Sequence, residues 1–481
     1  MKKLLTVFLV CCMTVVGFAS CGGPRPSDNS SDDANYEANI DMTDEDYNQT
    51  AKLTIGVTAD PYESELVNAL GKAFNQIFPN VTVEPVRISG TDYASAVIGR
   101  WQAKNMPDIF YTSESESFRF ISSKLYLNVE PYIKAETEAY TPADENAPAT
   151  WLEQFVPEAM KLGQKNYDGA QYFLPRSSDR IVTHLNMSYI KPALEWEGRP
   201  DKSVTLDTVK NGWTWSDFVK VCEALRAYYD DQGWTKEKGR YIIDTSFTWA
   251  PVTFSLFKSN GAEFYKDGNW ALESDATRTT IEMVRDLVKK GIIPPTNGGG
   301  ANYENGSGAM LFHSSSAIAK YKAFIKDDYD IVTFPIINGE SGVTGYGVPG
   351  YGIYSGIEES KRDLAWQFLS FMLSVDGQNA LAKAGMHTPS VRNDLQDYNK
   401  AAWGEGFRDL NLAATTYEQS RNYSEDFFLN FDATTKTGLL AACSNFMSNI
   451  MTYKADGTPS FTADKCIETV LTALKKAAVI K

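Results

Sequence analysis

Histidine and cysteine, the residue types on which most protein zinc centres depend, are scarce in this chain of 481 residues. The three histidines, His184, His313 and His387, stand far apart and show none of the short spacings that are typical of zinc ligands. This scarcity argues against a zinc site. We expect neither a metal nor a cofactor.

Positive charge and long apolar runs are limited as well. The chain carries 46 Lys and Arg residues against 61 Asp and Glu residues, which gives a formal net charge of −15. Such an acidic protein is not expected to bind nucleic acid, because phosphate neutralisation requires clustered Lys and Arg. Beyond residue 20, no stretch approaches the roughly 20 apolar residues that a membrane-spanning helix needs.

The N-terminus, by contrast, has the organisation of a secretory signal peptide over residues 1–20. A short basic start precedes an apolar stretch over 4–18, and two small residues then precede Cys21. Cys21 resembles the lipidated cysteine of a bacterial lipobox, although Phe18 departs from the usual Leu. We therefore expect an extracytoplasmic protein, lipid-anchored through Cys21 to the outer face of the bacterial cytoplasmic membrane. The alternatives are a plain signal peptide and a transmembrane anchor.

Residues 21–51 are predicted to form a disordered acidic tether. This segment is rich in Asp and Glu and has almost nothing to bury, so it cannot offset the entropy lost on ordering. The chain that follows has about 430 residues, enough for two ordinary domains.

The cysteines of this later part are Cys222, Cys443 and Cys466. An odd number of thiols in an exported protein leaves at least one of them free. We expect buried free thiols, with a Cys443–Cys466 disulfide as the alternative.

Apolar runs and helical patterns alternate at short spacing after the tether. They follow the order strand 52–58, helix from Glu63, strand 81–88, helix from Thr91 or Asp92, strand 106–112 and helix 115–126. This alternation predicts an α/β fold with a mostly parallel, doubly wound sheet. Further helices are predicted at 214–229, 275–290 and 361–373, and further strands at 308–313 and 329–336.

Several segments occur in an order that identifies a family resemblance. They include IGVTADPYESELVNALGKAFNQIFPNVTVEPV (55–86), MPDIFYTSES (106–115), YFLPRSSDRIVTHLNMSYI (172–190), GSGAMLFHSSS (306–316) and DLAWQFLSFMLSVDGQNALAKAGMHTPS (363–390). Their order over nearly all of 52–481 resembles the sugar-binding, maltose-binding-like solute-binding lipoproteins of ABC importers. The resemblance implies a monomeric binding protein that captures a carbohydrate, an oligosaccharide above all, and delivers it to the importer's transmembrane permease.

The family fold implied by this resemblance is the two-lobe, type II periplasmic-binding-protein fold, with a hinge and a ligand cleft between the lobes. Carried over to this chain, lobe 1 comprises 52–176 and 336–373, and lobe 2 comprises 178–334 and 376–481. The lobes are expected to close on the ligand.

Candidate binding residues follow from the ends of the predicted strands, where open α/β sheets bind ligands. They are Asp60, Tyr62, Tyr111, Glu114, Arg176 and Asp179. Aromatic rings would cover the apolar faces of a sugar, and charged side chains would bind its hydroxyls. Arg176 has the alternative role of a salt-bridge partner for Asp179.

The resemblance adds Trp249, His313, Tyr346 and Tyr351 to these candidates. For Trp249 the alternative is a core position, and for His313 it is a loop position without a ligand. Residues 345–350, GYGVPG, match the spacing of a dinucleotide-binding loop, but Pro349 and the exported location argue against that function.

Two other function classes stay open. An exported glycoside hydrolase or lyase would need a pair of carboxylates at a fixed separation, and no such pair is recognisable, so we expect no enzyme. A surface glycan-binding protein without a transport role would not close on its ligand. Among binding proteins, a polyamine, ferric ion or peptide ligand is a further alternative.

Overall fold

The computed structural model describes residues 36–90, 92–164, 169–243, 247–296, 303–431 and 433–479. The predicted signal peptide over 1–20, Cys21, the first part of the tether and the candidate cap Thr91 lie outside the described residues. Within the described ranges, no helix combines the length and apolar character needed to cross a membrane. The same ranges contain no group of three or more His, Cys, Asp or Glu residues that could hold a metal ion.

The α-helices occur throughout the chain. They are α1 (Asp44–Asn48), α2 (Pro61–Phe74), α3 (Tyr93–Gln102), α4 (Glu114–Ser122), α5 (Glu130–Ala139), α6 (Pro157–Lys161), α7 (Met187–Glu195), α8 (Trp215–Asp231), α9 (Ala250–Ser259), α10 (Asp275–Lys289), α11 (Ile318–Ile325), α12 (Glu359–Leu373), α13 (Val375–Lys383), α14 (Ala433–Ile450) and α15 (Ala463–Val479).

The strands are shorter and form two main sheets and one hairpin. They are β1 (Ala51–Val57), β2 (Val81–Arg87), β3 (Ile109–Ser113), β4 (Leu174–Pro175), β5 (Asp179–Asn186), β6 (Tyr265–Lys266), β7 (Asn269–Trp270), β8 (Met310–Ser314), β9 (Tyr329–Thr333), β10 (Thr344–Gly347), β11 (Pro349–Ile353) and β12 (Asn422–Tyr423).

Lobe 1 is built on a sheet with the strand order β2-β1-β3-β11-β4. β1 runs parallel to β2 and β3, and β11 runs antiparallel to β3 and β4. Leu53, Ile55 and Val57 of β1 are fully buried, because α2 and α12 pack against this central strand. The parallel β1–β3 unit confirms the predicted α/β class.

Lobe 2 has a sheet centred on β5, which pairs antiparallel with β8, β9 and β10. Residues 180–186 of β5 are all buried. A strand that is covered along its whole length needs no polar alternation. The apolar residues of α8 and α10 and of the C-terminal α14 and α15 complete the core of this lobe.

The chain crosses between the lobes at 176–178 and again at Val348. The first crossing joins β4 of lobe 1 to β5 of lobe 2. The second lies later than the predicted boundary at 336, because Tyr346 and Gly347 pair with Arg180 and Asp179 in the lobe 2 sheet. Lobe 1 resumes at β11, which pairs with β3.

Residues 376–391 also differ from their predicted place in lobe 2. Helix α13 packs against α2, and Leu381, Met386 and Val391 belong to the lobe 1 core. The third passage between the lobes therefore follows this segment, because its apolar side chains are covered by lobe 1.

The prediction of a disordered tether is wrong for its second half, because residues 36–50 lie along lobe 1. The Tyr36 hydroxyl donates to the Asn128 carbonyl (2.7 Å), and the Tyr36 ring contacts the Tyr132 ring at 5.5 Å between centroids. Tyr36, Ile40 and Met42 pack against the lobe 1 core. These few apolar side chains offset the ordering cost that the acidic composition alone would leave unopposed. We call residues 36–50 the N-terminal strap.

The three cysteines of the body of the chain are buried and free. The Cys443–Cys466 disulfide, left open by the sequence, is therefore not formed. Cys443 lies on α14 and Cys466 on α15, and both contribute to the lobe 2 core.

Candidate functional site

A cavity of about 390 Å³ lies between the lobes beside the first two crossings. Eight of the ten predicted binding residues line it: Asp60, Tyr62, Tyr111, Glu114, Arg176, Asp179, Trp249 and Tyr346. The other two, Tyr351 and His313, do not line it and lie behind the wall. The cavity therefore brings together predicted residues that are distant in sequence, although their contacts differ from those expected.

Arg176 forms the centre of the lobe 1 wall. Its guanidinium makes a bidentate ion pair with Glu63, in which Nη2 donates to Glu63 Oε1 at 2.7 Å and Nη1 donates to Oε2. Nη1 also donates to the Tyr351 hydroxyl at 3.1 Å. The alternative that Arg176 pairs with Asp179 is therefore wrong, because the first turn of α2 brings Glu63 to the guanidinium instead.

Aromatic rings enclose this ion pair. The guanidinium carbon of Arg176 lies 5.5 Å from the centre of the Tyr111 ring and 5.8 Å from that of Tyr351. Burial raises the pKa of both tyrosine hydroxyls well above the usual value, so they stay neutral. Tyr351 is fully buried, and its role is to hold Arg176 rather than to face the cavity.

Asp60 and Tyr62 stand at the start of α2. Asp60 is the N-cap residue, and its side chain accepts a hydrogen bond from the Tyr62 backbone N–H at 3.0 Å. The Tyr62 hydroxyl donates to the Gly385 carbonyl at 3.2 Å, and burial raises the pKa of Tyr62 to about 12. Both side chains therefore have structural partners as well as a position at the cavity.

Asp179 lies at the start of β5 and is held by three serines. Ser314 and Ser315 donate from their hydroxyls, the latter at 2.6 Å, and the Ser316 backbone N–H donates at 3.2 Å. These donors fix the orientation of the Asp179 carboxylate. Ser314 and Ser316 also line the cavity.

Glu114 lies at the N-terminus of α4, close to the second crossing. Its Oε2 accepts a hydrogen bond from the Val348 backbone N–H at 3.0 Å. Burial raises the pKa of this carboxyl to about 7. Gly347 permits the close approach, since a Cβ there would lie 2.7 Å from Glu114 Oε2. This close packing explains one glycine of the GYGVPG segment without a nucleotide.

Trp249 presents an aromatic face to the cavity. It is 37 % exposed and stands directly before α9, in which residues 252–257 are buried. Its ring stacks on His313, with 5.1 Å between the centroids and 20° between the planes. His313 lies behind Trp249, and burial lowers the pKa of its imidazole. The stacked pair fixes the orientation of the exposed indole.

A second chamber of about 320 Å³ continues the cleft beyond Glu114, Trp249 and Tyr346, which line both spaces. It is lined by α4 of lobe 1 and by α9 and α14 of lobe 2. The Lys436 ammonium lies 4.2 Å from the centre of the Phe118 ring, and burial lowers the pKa of this amine to about 8.

Several lining residues were not predicted from the sequence. They are Glu63, Ser113, Ser177, Arg180, Ser314, Ser316, Met386, His387 and Thr388. Ser314 and Ser316 directly follow a predicted strand, so the end-of-strand argument could have found them. Arg180 and Thr388 carry no such signal, because their positions depend on strand pairing and on the path of the chain after α13.

The arrangement offers chemistry suited to a polyhydroxylated ligand. An exposed indole face stands near carboxylate acceptors, Asp179 and Glu114, and arginine donors line the same space. Each of these carboxylates already accepts hydrogen bonds from the protein and is held in one orientation. Such fixed acceptors and a flat apolar face can orient a ligand without forming a bond to it.

Solved structures of similar fold come from several bacteria. An ABC substrate-binding protein of Listeria monocytogenes, in complex with cycloalternan, has 15 % sequence identity, covers 90 % of this chain and all (100 %) of that one, and has a TM-score of 0.66. Maltose-bound MalE3 of T. maritima has 15 % identity, covers 89 % of this chain and 100 % of that one, and has a TM-score of 0.65.

A third structure shows that this fold is not confined to sugars. UgpB of Mycobacterium tuberculosis, in complex with glycerophosphocholine, has 14 % identity, covers 88 % of this chain and 97 % of that one, and has a TM-score of 0.66. A search of curated protein sequences found no significant match. These likenesses confirm the two-lobe, type II fold.

A family comparison gives the assignment independently of the structures. The family described as bacterial extracellular solute-binding protein matches residues 69–406, which is more than half of the chain. The match spans both lobes and all three passages between them. This chain therefore belongs to the family of bacterial extracellular solute-binding proteins.

Proposed function

We propose that this protein captures a carbohydrate in the interlobe cleft and delivers it to the transmembrane permease of an ABC importer. The observation that carries the proposal is the Trp249 indole, which is exposed in the cavity wall close to fixed carboxylate acceptors. A buried ring would serve the core, whereas an exposed and rigidly stacked ring is available to a ligand.

Carbohydrate is the ligand class that fits this wall. A sugar ring has an apolar face that aromatic side chains cover, and its hydroxyls donate to carboxylates in charge-assisted hydrogen bonds. Asp179 supplies such an acceptor from lobe 2, and Glu114, whose pKa is about 7, supplies one from lobe 1 in its ionised form. The Listeria and Thermotoga structures, which hold cycloalternan and maltose, support the same ligand class.

We further propose that the protein binds without catalysis. Asp60 caps α2, Glu63 pairs with Arg176, Asp179 accepts from three serine donors and Glu114 accepts from Val348. A hydrolase would need one carboxyl free as a proton donor and a second as nucleophile or base. Glu114, whose pKa is raised to about 7, can hold a proton, but Asp60, Glu63 and Asp179 are each engaged by the protein, which supports a binding role.

Delivery requires a protein that opens and closes near its transporter. The crossings at 176–178 and Val348 lie beside the cavity and can act as the hinge, so that ligand contacts from both lobes favour the closed form. We propose that the monomer is held at the outer face of the cytoplasmic membrane by a diacylglycerol on Cys21. Fractionation tests the anchor: a Cys21→Ala variant should move from the membrane to the soluble fraction.

The proposed ligand class is tested by thermal shift against a panel of oligosaccharides. A ligand that binds only the folded state adds about 2.7 kcal/mol of stability at a concentration 100 times its Kd. We expect at least one carbohydrate to raise the melting temperature, with calorimetry to confirm one site and product analysis to show no cleavage. A panel without any shift, or turnover of the ligand, would contradict the proposal.

A further inference from the structure

Four buried polar side chains in the cleft have an atom without a hydrogen-bond partner among the described residues, and one of these atoms, Arg176 Nε, belongs to a guanidinium that is already paired with Glu63. The other three belong to Arg180, Tyr346 and Thr388. Arg180 is 4 % exposed, Tyr346 is 6 % exposed and Thr388 is 3 % exposed. Their atoms Arg180 Nε, Tyr346 Oη and Thr388 Oγ1 make no hydrogen bond of normal geometry with the described residues, although the Ser178 side chain interacts with the Tyr346 hydroxyl. All three residues line the first cavity. We call them the donor corner.

The fold places these three residues side by side. Tyr346 on β10 is directly opposite Arg180 on β5, so their side chains extend from the same face of the sheet. The Ser178 backbone N–H donates to the Pro389 carbonyl at 3.0 Å, which holds the segment containing Thr388 beside the start of β5. The donor corner is therefore set by backbone pairing and does not depend on a flexible loop.

The charge of Arg180 is not neutralised by the protein. Its Nη1 donates to the Tyr417 carbonyl, and no carboxylate of the described residues lies within ion-pair distance of it. Among the charged groups near Arg180, Glu418 is already paired with Arg421. Burial lowers the pKa of Arg180 to about 10, so the guanidinium remains charged at neutral pH.

The edge of the guanidinium that remains available has a defined geometry. With Nη1 engaged, the Nε and Nη2 N–H groups form the planar fork that binds both oxygens of a carboxylate. A buried charge without a counter-ion is costly, and a bound anion would remove that cost. The neighbouring hydroxyls of Tyr346 and Thr388 can donate to the same anion.

We propose that the donor corner binds the carboxylate of an acidic sugar, such as a uronic acid residue of an oligosaccharide. This inference rests on the proposed function and specifies its ligand class. Arg180 supplies the two parallel hydrogen bonds to the carboxylate, and the Tyr346 and Thr388 hydroxyls complete the subsite.

The acidic residues of the same cavity do not oppose this assignment. Asp179 precedes Arg180 on β5, and successive side chains of a strand point to opposite faces. The Asp179 carboxylate is turned to Ser314, Ser315 and the Ser316 backbone. The cleft is thus polarised, with acceptors for hydroxyl groups on one side and donors for a carboxylate on the other.

The test compares acidic sugars with uncharged counterparts of the same shape. Short galacturonate and glucuronate oligosaccharides are titrated by calorimetry into the wild-type protein, beside their methyl esters and sulfated disaccharides. We expect a uronate to bind more tightly than its ester. Arg180→Gln should reduce that preference by about 10- to 100-fold, and Arg180→Lys should restore it only in part, because an ammonium lacks the planar fork.

Arg278→Gln is the matched control, because this arginine is exposed and remote from the cavity. It should leave the preference for the uronate over its methyl ester unchanged, as expected of a surface substitution that removes no contact with the ligand. Binding of neutral sugars without uronates would overturn the inference and leave the proposed function intact. A uronate preference that survives Arg180→Gln, or a stronger preference for sulfate, would also overturn it. Failure of every carbohydrate to bind would reject the proposed function and, with it, the subsite.

Discussion

The first crossing carries an arginine on each side, Arg176 at the lobe 1 wall and Arg180 at the lobe 2 wall. Both are 4 % exposed, and both line the same cavity. Arg176 has a bidentate carboxylate partner in Glu63 and a hydroxyl partner in Tyr351. Nε lacks a hydrogen-bond partner in both guanidinium groups, but Arg180 has only a backbone carbonyl on Nη1 and no carboxylate partner among the described residues.

This difference indicates that the two walls of the cleft have different roles. The charge of Arg176 in the lobe 1 wall is neutralised by the protein itself, because Glu63 pairs with its guanidinium and Tyr111 and Tyr351 lie against it. The lobe 2 wall holds an unpaired guanidinium and an exposed indole, which are features that a ligand can complete. Stability should therefore depend on the first wall and ligand selectivity on the second.

The largest expected effect is on the free energy of unfolding, which should fall when Arg176 is replaced and change little when Arg180 is replaced. Arg176→Met should lower the free energy of unfolding by about 3–5 kcal/mol, because the buried Glu63 carboxylate loses its counter-charge. Arg180→Met, the same change at an equally buried arginine, should alter it by less than about 1 kcal/mol or raise it, since no carboxylate is left unpaired. Urea denaturation of the unliganded protein measures both.

The double variant Glu63→Gln/Arg176→Met is the control for this interpretation. Removing both charges should recover part of the loss that Arg176→Met causes alone, because no unpaired buried charge remains. Equal losses for the two single Met variants would show that the walls do not differ in the way proposed.

The second effect concerns affinity on the lobe 2 wall. Trp249→Ala should weaken carbohydrate binding by about 5- to 150-fold, which corresponds to roughly 1–3 kcal/mol for the lost cover of a sugar face. Its effect on the melting temperature should be small, since the indole is more than a third exposed. Calorimetry with the best ligand of the oligosaccharide panel measures the change.

Phe324→Ala provides a matched aromatic truncation. Phe324 lies on α11 of lobe 2, is 51 % exposed and lines neither chamber of the cleft. It should leave the affinity unchanged. If Trp249→Ala reduces affinity by no more than Phe324→Ala does, the stacking role of Trp249 is wrong.

The residues of the two walls also show which features of the cleft could be predicted from the sequence. Periodicity located β1, β3 and the start of α2, so Asp60, Tyr111 and Glu114 could be assigned to one edge of a sheet. The sequence does not reveal Glu63 as the partner of Arg176, because that pairing depends on the orientation of α2 over the sheet. Hydropathy shows that a residue is covered and does not show by what.

The second limit of prediction from the sequence was the pairing of strands that lie far apart in the chain. The pairing of Tyr346 with Arg180 brings together segments far apart in the chain, and no local pattern specifies it. The same limit misplaced the second crossing at 336 instead of Val348. It also left Tyr351 and His313 among the expected ligand contacts, although one supports Arg176 and the other supports Trp249.

The third expected effect is a pH dependence of the free energy of unfolding, which originates at Glu114 beside the second crossing between the lobes. Burial raises the pKa of the Glu114 carboxyl from 4.5 to about 7. The folded state therefore holds this proton more tightly than the unfolded chain, and the stability it contributes is complete below pH 4.5 and lost as the pH rises through 7. Lys436, with its pKa lowered to about 8, stays charged over most of this window.

Glu114→Gln should remove this contribution, since an amide does not titrate. The free energy of unfolding of the wild type should fall between about pH 5 and pH 7.5 by about 1–3 kcal/mol relative to the variant. Glu197→Gln, at an exposed carboxylate outside the cleft, is the control and should keep the wild-type profile. Parallel profiles for the wild type and Glu114→Gln would show that Glu114 titrates alike in both states.

The smallest expected effect tests whether a substitution in lobe 1 can lower the stability of the protein without changing its affinity for carbohydrate. Tyr36 of the N-terminal strap contacts Tyr132 and lies under the Arg362 guanidinium, 4.9 Å from its carbon. Tyr36→Ala should lower the free energy of unfolding by about 1 kcal/mol through the lost aromatic and cation–π contacts. It should leave carbohydrate affinity unchanged, because the strap packs on lobe 1 away from both chambers. A loss of affinity with retained stability would mean that the strap influences the cleft, and the division between the two walls would then not describe how this protein selects its ligand.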